Sequence, residues 1–243
     1  MVAGENRDKD LADRDGLVQM DCRRYEDGSW RNLTDLIAPE VRVKLHWPGL
    51  DQRELWAFPD DLEFLALGHA LLEFCGPGQI PVLDRRDDYE FFLFPGPSPA
   101  PAGEPAQISL EPKSVAARMA EFISRGGRWD RTGCFHRAAL FHPEKETFVF
   151  MTEDIARHNC VDRAAGWRLG RGVSPHGFFL FLSARVTASL TAKIVRAGFR
   201  VVVSRSAVTE AAVETAEEHG LTLIGFAREG RFTLFTDRQG LVA

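Results

Sequence analysis

The chain of 243 residues reads as an α/β protein, with a mixed, mostly parallel sheet in its second half and a β-rich portion before it. Three observations predict this. From residue 178 onward, short continuous apolar runs alternate with amphipathic helical stretches, as strands buried on both faces do when helices cover them. Between residues 41 and 47, VRVKLHW alternates apolar and polar residues and stops at Pro48-Gly49, the mark of a half-buried strand. Residues 95–112, PGPSPAPAGEPAQISLEP, hold too much proline for a helix interior or a central strand, and separate the two patterns. The expected organisation is a disordered tail over 1–17 and a β-rich portion with one helix and the Pro-rich loop over 18–112. The α/β domain then covers 113–243.

In chain order, residues 1–17 are dense in charge and poor in apolar side chains, as solvated tails are. Residues 19–35 flank Glu26-Asp27-Gly28 and read as a short hairpin in which Cys22 packs. After VRVKLHW, LWAFP returns as a second strand. Pro59-Asp60-Asp61 then opens a helix capped by Asp60 or Asp61, with Leu62, Leu65, Ala66, His69 and Leu72 on one side. Gly68 is expected to let this helix approach a sheet closely, and His69 to be packed or half-exposed. Beyond Pro77-Gly78, VLDRRDDYEFFLF supplies one or two strands, with Arg85 and Arg86 near a hairpin tip.

Ser114 is expected to cap a helix running to Arg125, with Val115, Met119, Phe122 and Ile123 on one face and Gly126-Gly127 ending it. FFLFL at 178–182 and VVV at 201–203 are buried strands, and TASLTAKIVRAGF between them is a helix. TEAAVETAEEHG is a helix capped by Thr209 and ended by Gly220, and LTLIGF and RFTLF are strands around Arg228-Glu229-Gly230. A βαβαββ order implies right-handed crossovers in a mostly parallel sheet.

A net charge of −5 excludes a general nucleic-acid or anionic-membrane binder, so any anionic ligand needs a local group of arginines and backbone N–H donors. No run approaches the ~18 apolar residues of a membrane span, and the N-terminus lacks the apolar core of a secretory signal. Cysteines 22, 75, 134 and 160 have no paired spacing, which argues against a zinc knuckle and suits a reducing, cytoplasmic setting.

The chemistry concentrates in residues 131–163, RTGCFHRAALFHPEKETFVFMTEDIARHNCVDR. This stretch carries His136, His142 and His158, and packs Glu153, Asp154, Arg157, His158, Asn159, Cys160 and Asp162 into ten residues. Three further segments fall where α/β sheets bind ligands, at the carboxyl ends of strands: Ser183-Ala184-Arg185, Ser204-Arg205-Ser206-Ala207, and Phe226 to Arg231. Each combines arginine with hydroxyl or backbone donors, a pairing suited to phosphate.

TGCFHRAALF resembles the TGG-x-HAAALF motif of the formate dehydrogenase accessory sulfurtransferases, the FdhD/NarQ family, and EDIARHNCVDR resembles its EDVGRHNAVDK. PDDLEFLALGHALLE is similar to the family's P-x-D-x-E-LALGFLL-x-E segment, and Ser183-Ala184-Arg185 to its SGR. The resemblance spans about residues 36 to 236 and implies a cytidine deaminase-like three-layer α/β/α domain. It also implies binding of a guanine-dinucleotide molybdenum cofactor, the bis(molybdopterin guanine dinucleotide) form, or GDP as its surrogate. His136, Arg157, His158, Asn159 and Asp162 would line the pocket. Arg185 and the turn Phe226, Ala227, Arg228, Glu229, Gly230 and Arg231 would hold phosphate and guanine. The implied partners are the formate dehydrogenase catalytic subunit, a cysteine desulfurase and a second copy of the chain.

The chain departs from this pattern in several places. Cys134 stands where the family has Gly, Cys160 where it has Ala, and Ala184 where it has Gly. The family's sulfur-carrying Cys-Gly-x-Cys-Gly loop has no counterpart, because no cysteine lies between Cys75 and Cys134. Three readings follow: a maturation or delivery protein that binds cofactor without carrying sulfur, a sulfurtransferase using Cys134, Cys160 or Cys75, or a non-catalytic interaction partner. As nucleophiles, Cys134 and Cys160 would draw on the neighbouring His136, Arg157 and His158; the bland alternative is that both fill packed positions. Zinc deamination is excluded, because His136 is followed by Arg137 and Ala138 rather than a Glu shuttle, and CxxC is absent. No metal site is expected.

Overall fold

A computed structural model describes residues 15–98 and 111–242. Strands β1 (Val18–Glu26) and β2 (Ser29–Ile37) form a separate antiparallel ribbon turning at Asp27-Gly28. Strands β3 (Val41–His46), β4 (Arg53–Ala57), β5 (Gln79–Asp87) and β6 (Glu90–Pro97) form a four-stranded sheet in the order β4-β3-β6-β5. Val43, Leu45, Ala57, Phe91 and Leu93 point from it onto helix α1 (Leu62–Glu73). All five residues expected on the buried side of α1 are buried, and so are Leu67, Gly68 and Ala70. The helix is covered almost all round because it lies between this sheet and helix α4 (Arg157–Gly170).

Gly68 therefore serves a helix–helix crossing, not the helix–sheet approach expected from sequence. A Cβ on Gly68 would sit 1.7 Å from the Asp162 carbonyl oxygen, and one on Gly166 would sit 1.9 Å from the Phe64 carbonyl oxygen. Only hydrogen fits on either side of this contact.

The second half forms a six-stranded mixed sheet in the order β12-β11-β10-β9-β7-β8. Its strands are β7 (His136–His142), β8 (Thr147–Asp154), β9 (Phe179–Leu182), β10 (Val201–Ser204), β11 (Thr222–Arg228) and β12 (Arg231–Thr236). Parallel pairing is confined to β9–β10–β11; β7, β8 and β12 pair antiparallel with their neighbours. The sheet is thus less parallel than the βαβαββ order alone implies, because the β7–β8 hairpin adds to the β9 edge. One face carries Leu140, Leu180, Leu182, Val202 and Leu223 against α4, α5 (Ala188–Arg196) and α6 (Glu210–Glu218). The other carries Phe141, Phe179, Phe181, Val201 and Val203 against α2 (Pro112–Ser124). Helices on both faces explain why β9 and β10 read as unbroken apolar runs.

Several boundaries differ from expectation. Inner strand β6 runs on through Pro95-Gly96-Pro97, where the Pro-rich loop is expected to begin, because there it pairs with β5 alone and its other side needs no N–H donor. Helix α2 begins at Pro112 with Glu111 as N-cap, so Ser114 lies inside its first turn; proline at the first helical position loses no hydrogen bond. A short helix α3 (Arg128–Thr132) follows Gly126-Gly127. Leu17, expected in the tail, is fully buried with Phe58 and Phe135. The rest of the expected tail, 1–14, and the centre of the Pro-rich loop, 99–110, lie outside the described residues. Among the described residues, no helix is long and apolar enough to cross a membrane.

Candidate functional site

Connectivity brings the site together at one edge of the six-stranded sheet. β8 leads into α4, β9 into α5 and β10 into α6, so three helix N-termini share that edge with the end of β11. β7 runs antiparallel to β9, which places its first residue, His136, at the same edge. The Arg137 N–H donates to Ser183 Oγ at 2.8 Å and the Ser183 N–H to the Arg137 carbonyl at 3.0 Å, fixing His136 beside the segment ending in Arg185. None of the N-cap residues Ala156, Thr187 and Thr209 makes a side-chain cap. The cap side chains therefore leave first-turn N–H groups of α4, α5 and α6 open to an anion, although the Ala212 N–H of α6 already donates to the Thr209 carbonyl at 3.1 Å.

Four side chains add charge and polarity to this edge. His136 is half-buried, and its imidazole is held below its ordinary value by burial, and then by the charges of Arg157 and Arg185. His158 is lowered by burial, then by Arg157 and Lys193, and its Nε2 lies 3.3 Å from Ser189 Oγ on α5. Arg157 thus acts on both histidines, and its buried Nε has no hydrogen-bond partner in the protein. Arg185 is exposed. A chain of net charge −5 has gathered a cationic edge where helix dipoles add to it.

The EDIARHNCVDR string divides at this point. Arg157 and His158 face the edge, but Asn159 and Asp162 do not line it, contrary to expectation. Asn159 Nδ2 donates to the Trp56 carbonyl at 2.9 Å and to Asp154 Oδ1 at 3.0 Å. Asp162, 1% exposed, accepts from Lys193 Nζ at 2.7 and 2.8 Å and faces His69 Nδ1 at 3.2 Å. Burial raises the Asp162 carboxyl, but the His69 hydrogen bond and the Lys193 charge outweigh it and hold the group below its ordinary value. Arg163, fully buried, clasps Asp154 Oδ2 at 2.6 and 3.0 Å, donates to the Phe58 carbonyl at 2.8 Å and reaches the Asp60 carbonyl. Helical spacing explains the split: residues 159, 162, 163 and 166 share the inward face of α4, whereas 157 and 158 occupy its open first turn.

The cysteines separate in the same way. Cys160 is 1% exposed, its thiol donates to the His136 carbonyl at 3.4 Å, and burial pushes it far up. It does not supply a thiolate, and the expectation of an activated Cys160 is corrected. Cys75 is half-buried and raised to about 11 by burial, so it too remains a thiol at neutral pH. Cys134 is exposed, two residues before His136 and just after Gly133, which ends α3 in a left-handed conformation. Among the described residues, no group of three or more His, Cys, Asp or Glu side chains is placed to hold a metal ion.

The turn from Phe226 to Arg231 is also mixed. Phe226 is 37% exposed with φ 51°, a left-handed conformation costly for an aromatic residue, at an irregularity where β11 and β12 lose register. Its N–H donates to the Ser206 carbonyl at 2.9 Å. A cavity of about 170 Å³ is lined by Phe226, Arg228, Arg231, Phe232 and Thr233. Glu229 and Gly230 are exposed at the tip, and Glu229 lies 3.5 Å from Arg231. Ala227 is buried against α2 and does not line this cavity. A second cavity of about 260 Å³, between α2 and these strand ends, is lined by Ala227 together with Arg205 and Arg228.

Sequence reasoning missed Lys193 and the role of His69. The signal was present: Lys193 falls on the apolar stripe of its helix beside Leu190 and Ile194, where an unpaired lysine is not tolerated.

A model of the FdhD/NarQ family matches residues 96–242, a span that contains all of the edge just described. Protein FdhD of Methanocaldococcus jannaschii is 36% identical over 229 residues, covering 90% of this chain and 96% of that one. The sulfur carrier protein FdhD of Chromobacterium violaceum is 29% identical over 259 aligned positions, covering 91% and 96%. The crystal structure of a formate dehydrogenase accessory protein from Desulfotalea psychrophila shares the fold, with a TM-score of 0.78 over 93% of this chain and 99% of that one at 17% identity. The family match, the near-full-length relatives and the shared architecture lead to one conclusion: the chain belongs to the FdhD/NarQ family.

Proposed function

We propose that this protein binds the guanine-dinucleotide form of the molybdenum cofactor as cargo and serves formate dehydrogenase maturation as a delivery protein. The catalytic subunit of formate dehydrogenase is the recipient in this reading. The observation that carries it is the convergence of Arg157, Arg185, His136 and three uncapped helix N-termini on one sheet edge. Backbone N–H groups and guanidinium forks suit phosphate oxygens. Further along the same edge, the exposed ring of Phe226 and the cavity beside Arg228 and Arg231 offer a stacking surface for a purine. From β7 to β11 is three strand spacings, roughly 14 Å, so the edge suits an extended nucleotide better than a single ion. The molybdenum centre brings the redox chemistry of the enzyme that receives it; this chain's residues bind, orient and release.

Calorimetric titration of GDP tests the reading. Arg157→Ala and Arg185→Ala should each weaken binding about tenfold, the worth of one charge-assisted hydrogen bond, with unfolding midpoints unchanged. Equal affinity in both variants and the parent would overturn it.

A second reading, sulfur transfer, is favoured by one observation: Cys134 is an exposed thiol in the segment that leads into His136. Relatives bearing the name sulfur carrier protein make the test worthwhile. Intact mass after incubation with an active cysteine desulfurase and free cysteine should show no added sulfur if the delivery reading is complete. One added sulfur that vanishes in Cys134→Ala, but persists in Cys160→Ala and Cys75→Ala, would establish transfer through Cys134.

A further inference from the structure

Helices α4 and α5 are joined by two rungs one helical turn apart. The upper rung is His158 Nε2 to Ser189 Oγ at 3.3 Å. The lower is Lys193 Nζ to both oxygens of Asp162 at 2.7 and 2.8 Å, with Glu73 of α1 at 3.2 Å from the same ammonium. Asp162 is four residues after His158 and Lys193 four residues after Ser189, so each helix presents its two rung residues on one face. The upper rung lies in the first turns that form the anion-binding edge. The lower rung is buried, with Lys193 5% and Asp162 1% exposed.

Buried ion pairs rarely beat an apolar pair of equal volume for stability, because both charges lose their water. A carboxylate gripped through both oxygens by one ammonium instead fixes where one helix stands relative to the other, whereas an apolar contact tolerates sliding. We propose that Lys193 is a positioning residue: through Asp162 it sets the spacing of the α4 and α5 N-termini, and so holds Arg157 and His158 against the phosphates of the ligand. This rests on the anion-binding reading above.

His69 completes the surroundings of the lower rung. Its Nδ1 faces Asp162, its ring edge meets Phe74 with centroids 5.4 Å apart, and its buried Nε2 has no partner. The charged groups around it are Asp162 on α4, Lys193 on α5 and Glu73 on its own helix; Glu73 is also held by Arg196 at 3.0 Å. With Lys193 present, its ammonium offsets the Asp162 charge. In Lys193→Met that counter-charge is gone and with it the buried rung between α4 and α5.

The test is GDP affinity of the parent, Lys193→Met, Arg157→Ala and the Arg157→Ala/Lys193→Met pair. Lys193→Met should weaken binding about tenfold in the parent, a coupling of ordinary size between a remote group and a binding site, but add little once Arg157 is gone, because the two act through one contact. The double variant Asp162→Asn/Lys193→Met has no buried charge and keeps the test available if the single variant fails to fold. It should bind more weakly than the parent by a similar factor. Parent-like binding by Lys193→Met or by this double variant, or a full further tenfold loss from Lys193→Met in the Arg157→Ala background, would overturn the proposal. If the parent does not bind GDP, the anion-binding reading fails separately. The positioning is then read in the free protein by NMR, where Lys193→Met should move the backbone amide signals of Arg157 and His158. Unmoved signals would overturn the proposal.

Discussion

The first turn of α4 and the rest of that helix use the same residue types to opposite ends. Arg157 and His158 stand half-exposed at the edge, whereas Asn159, Asp162 and Arg163 are buried, and their contacts run into the protein itself. Arg163 ties β8 to the Phe58 and Asp60 carbonyls, and so helps fasten the segment leading into α1 onto the α/β core. A polar string in sequence is thus not one site. What separates ligand-facing residues from braces is whether their partners are already supplied by the chain.

The largest effect expected from breaking this contrast comes from the buried side. Arg163→Met leaves Asp154 buried without its counter-charge and should lower stability by about 3–5 kcal/mol, read by urea denaturation. A loss under ~1 kcal/mol would mean that Arg163 is not a brace. Gly68→Ala comes next: its methyl meets a backbone carbonyl that cannot swing away, and overpacking of this kind costs about 1–3 kcal/mol. A parent-like midpoint would show that the α1–α4 crossing can open. On the exposed side the pattern reverses. Arg157→Ala should leave the unfolding midpoint within ~0.5 kcal/mol of the parent, as surface changes do, while GDP binding falls.

The smallest effect is the pH dependence. His136 and His158 are held below their ordinary value in the free protein, so under acid the unfolded chain binds protons that the folded chain resists. Stability should therefore fall as pH drops below about 6.5. A bound phosphate favours the charged imidazolium and reverses the sign for binding, so GDP affinity should rise as pH falls from 8 to 6. Titration in two buffers of different ionisation heat should reveal proton uptake; proton release would place the anion away from these histidines.

Much of the architecture was legible because it depends on periodicity. FFLFL and VVV had to be strands covered on both faces, and the amphipathic stretches between them had to be the covering helices. The cationic edge was legible too, since Arg157, His158 and Arg185 follow strands or open helices in an order that α/β connectivity sends to one side. The place of the β7–β8 hairpin beside β9 was not legible, because pairing partners are chosen by distant residues. Ser114 looked like a cap, yet Pro112 opens the helix two residues earlier, since proline's fixed φ is already helical.

The sequence by itself therefore determined the layers, the family and the edge where charge gathers, because each is written in local spacing or contiguous motifs. Tertiary structure alone decided which of those charges remain free. Asp162 acquires its role from Lys193, 31 residues on, and from His69, 93 residues back; Cys160 becomes inert because the first residue of β7 and α4 close over it. Burial and partner supply are properties of the packed chain, and they separate a ligand-binding arginine from a structural one of identical chemistry.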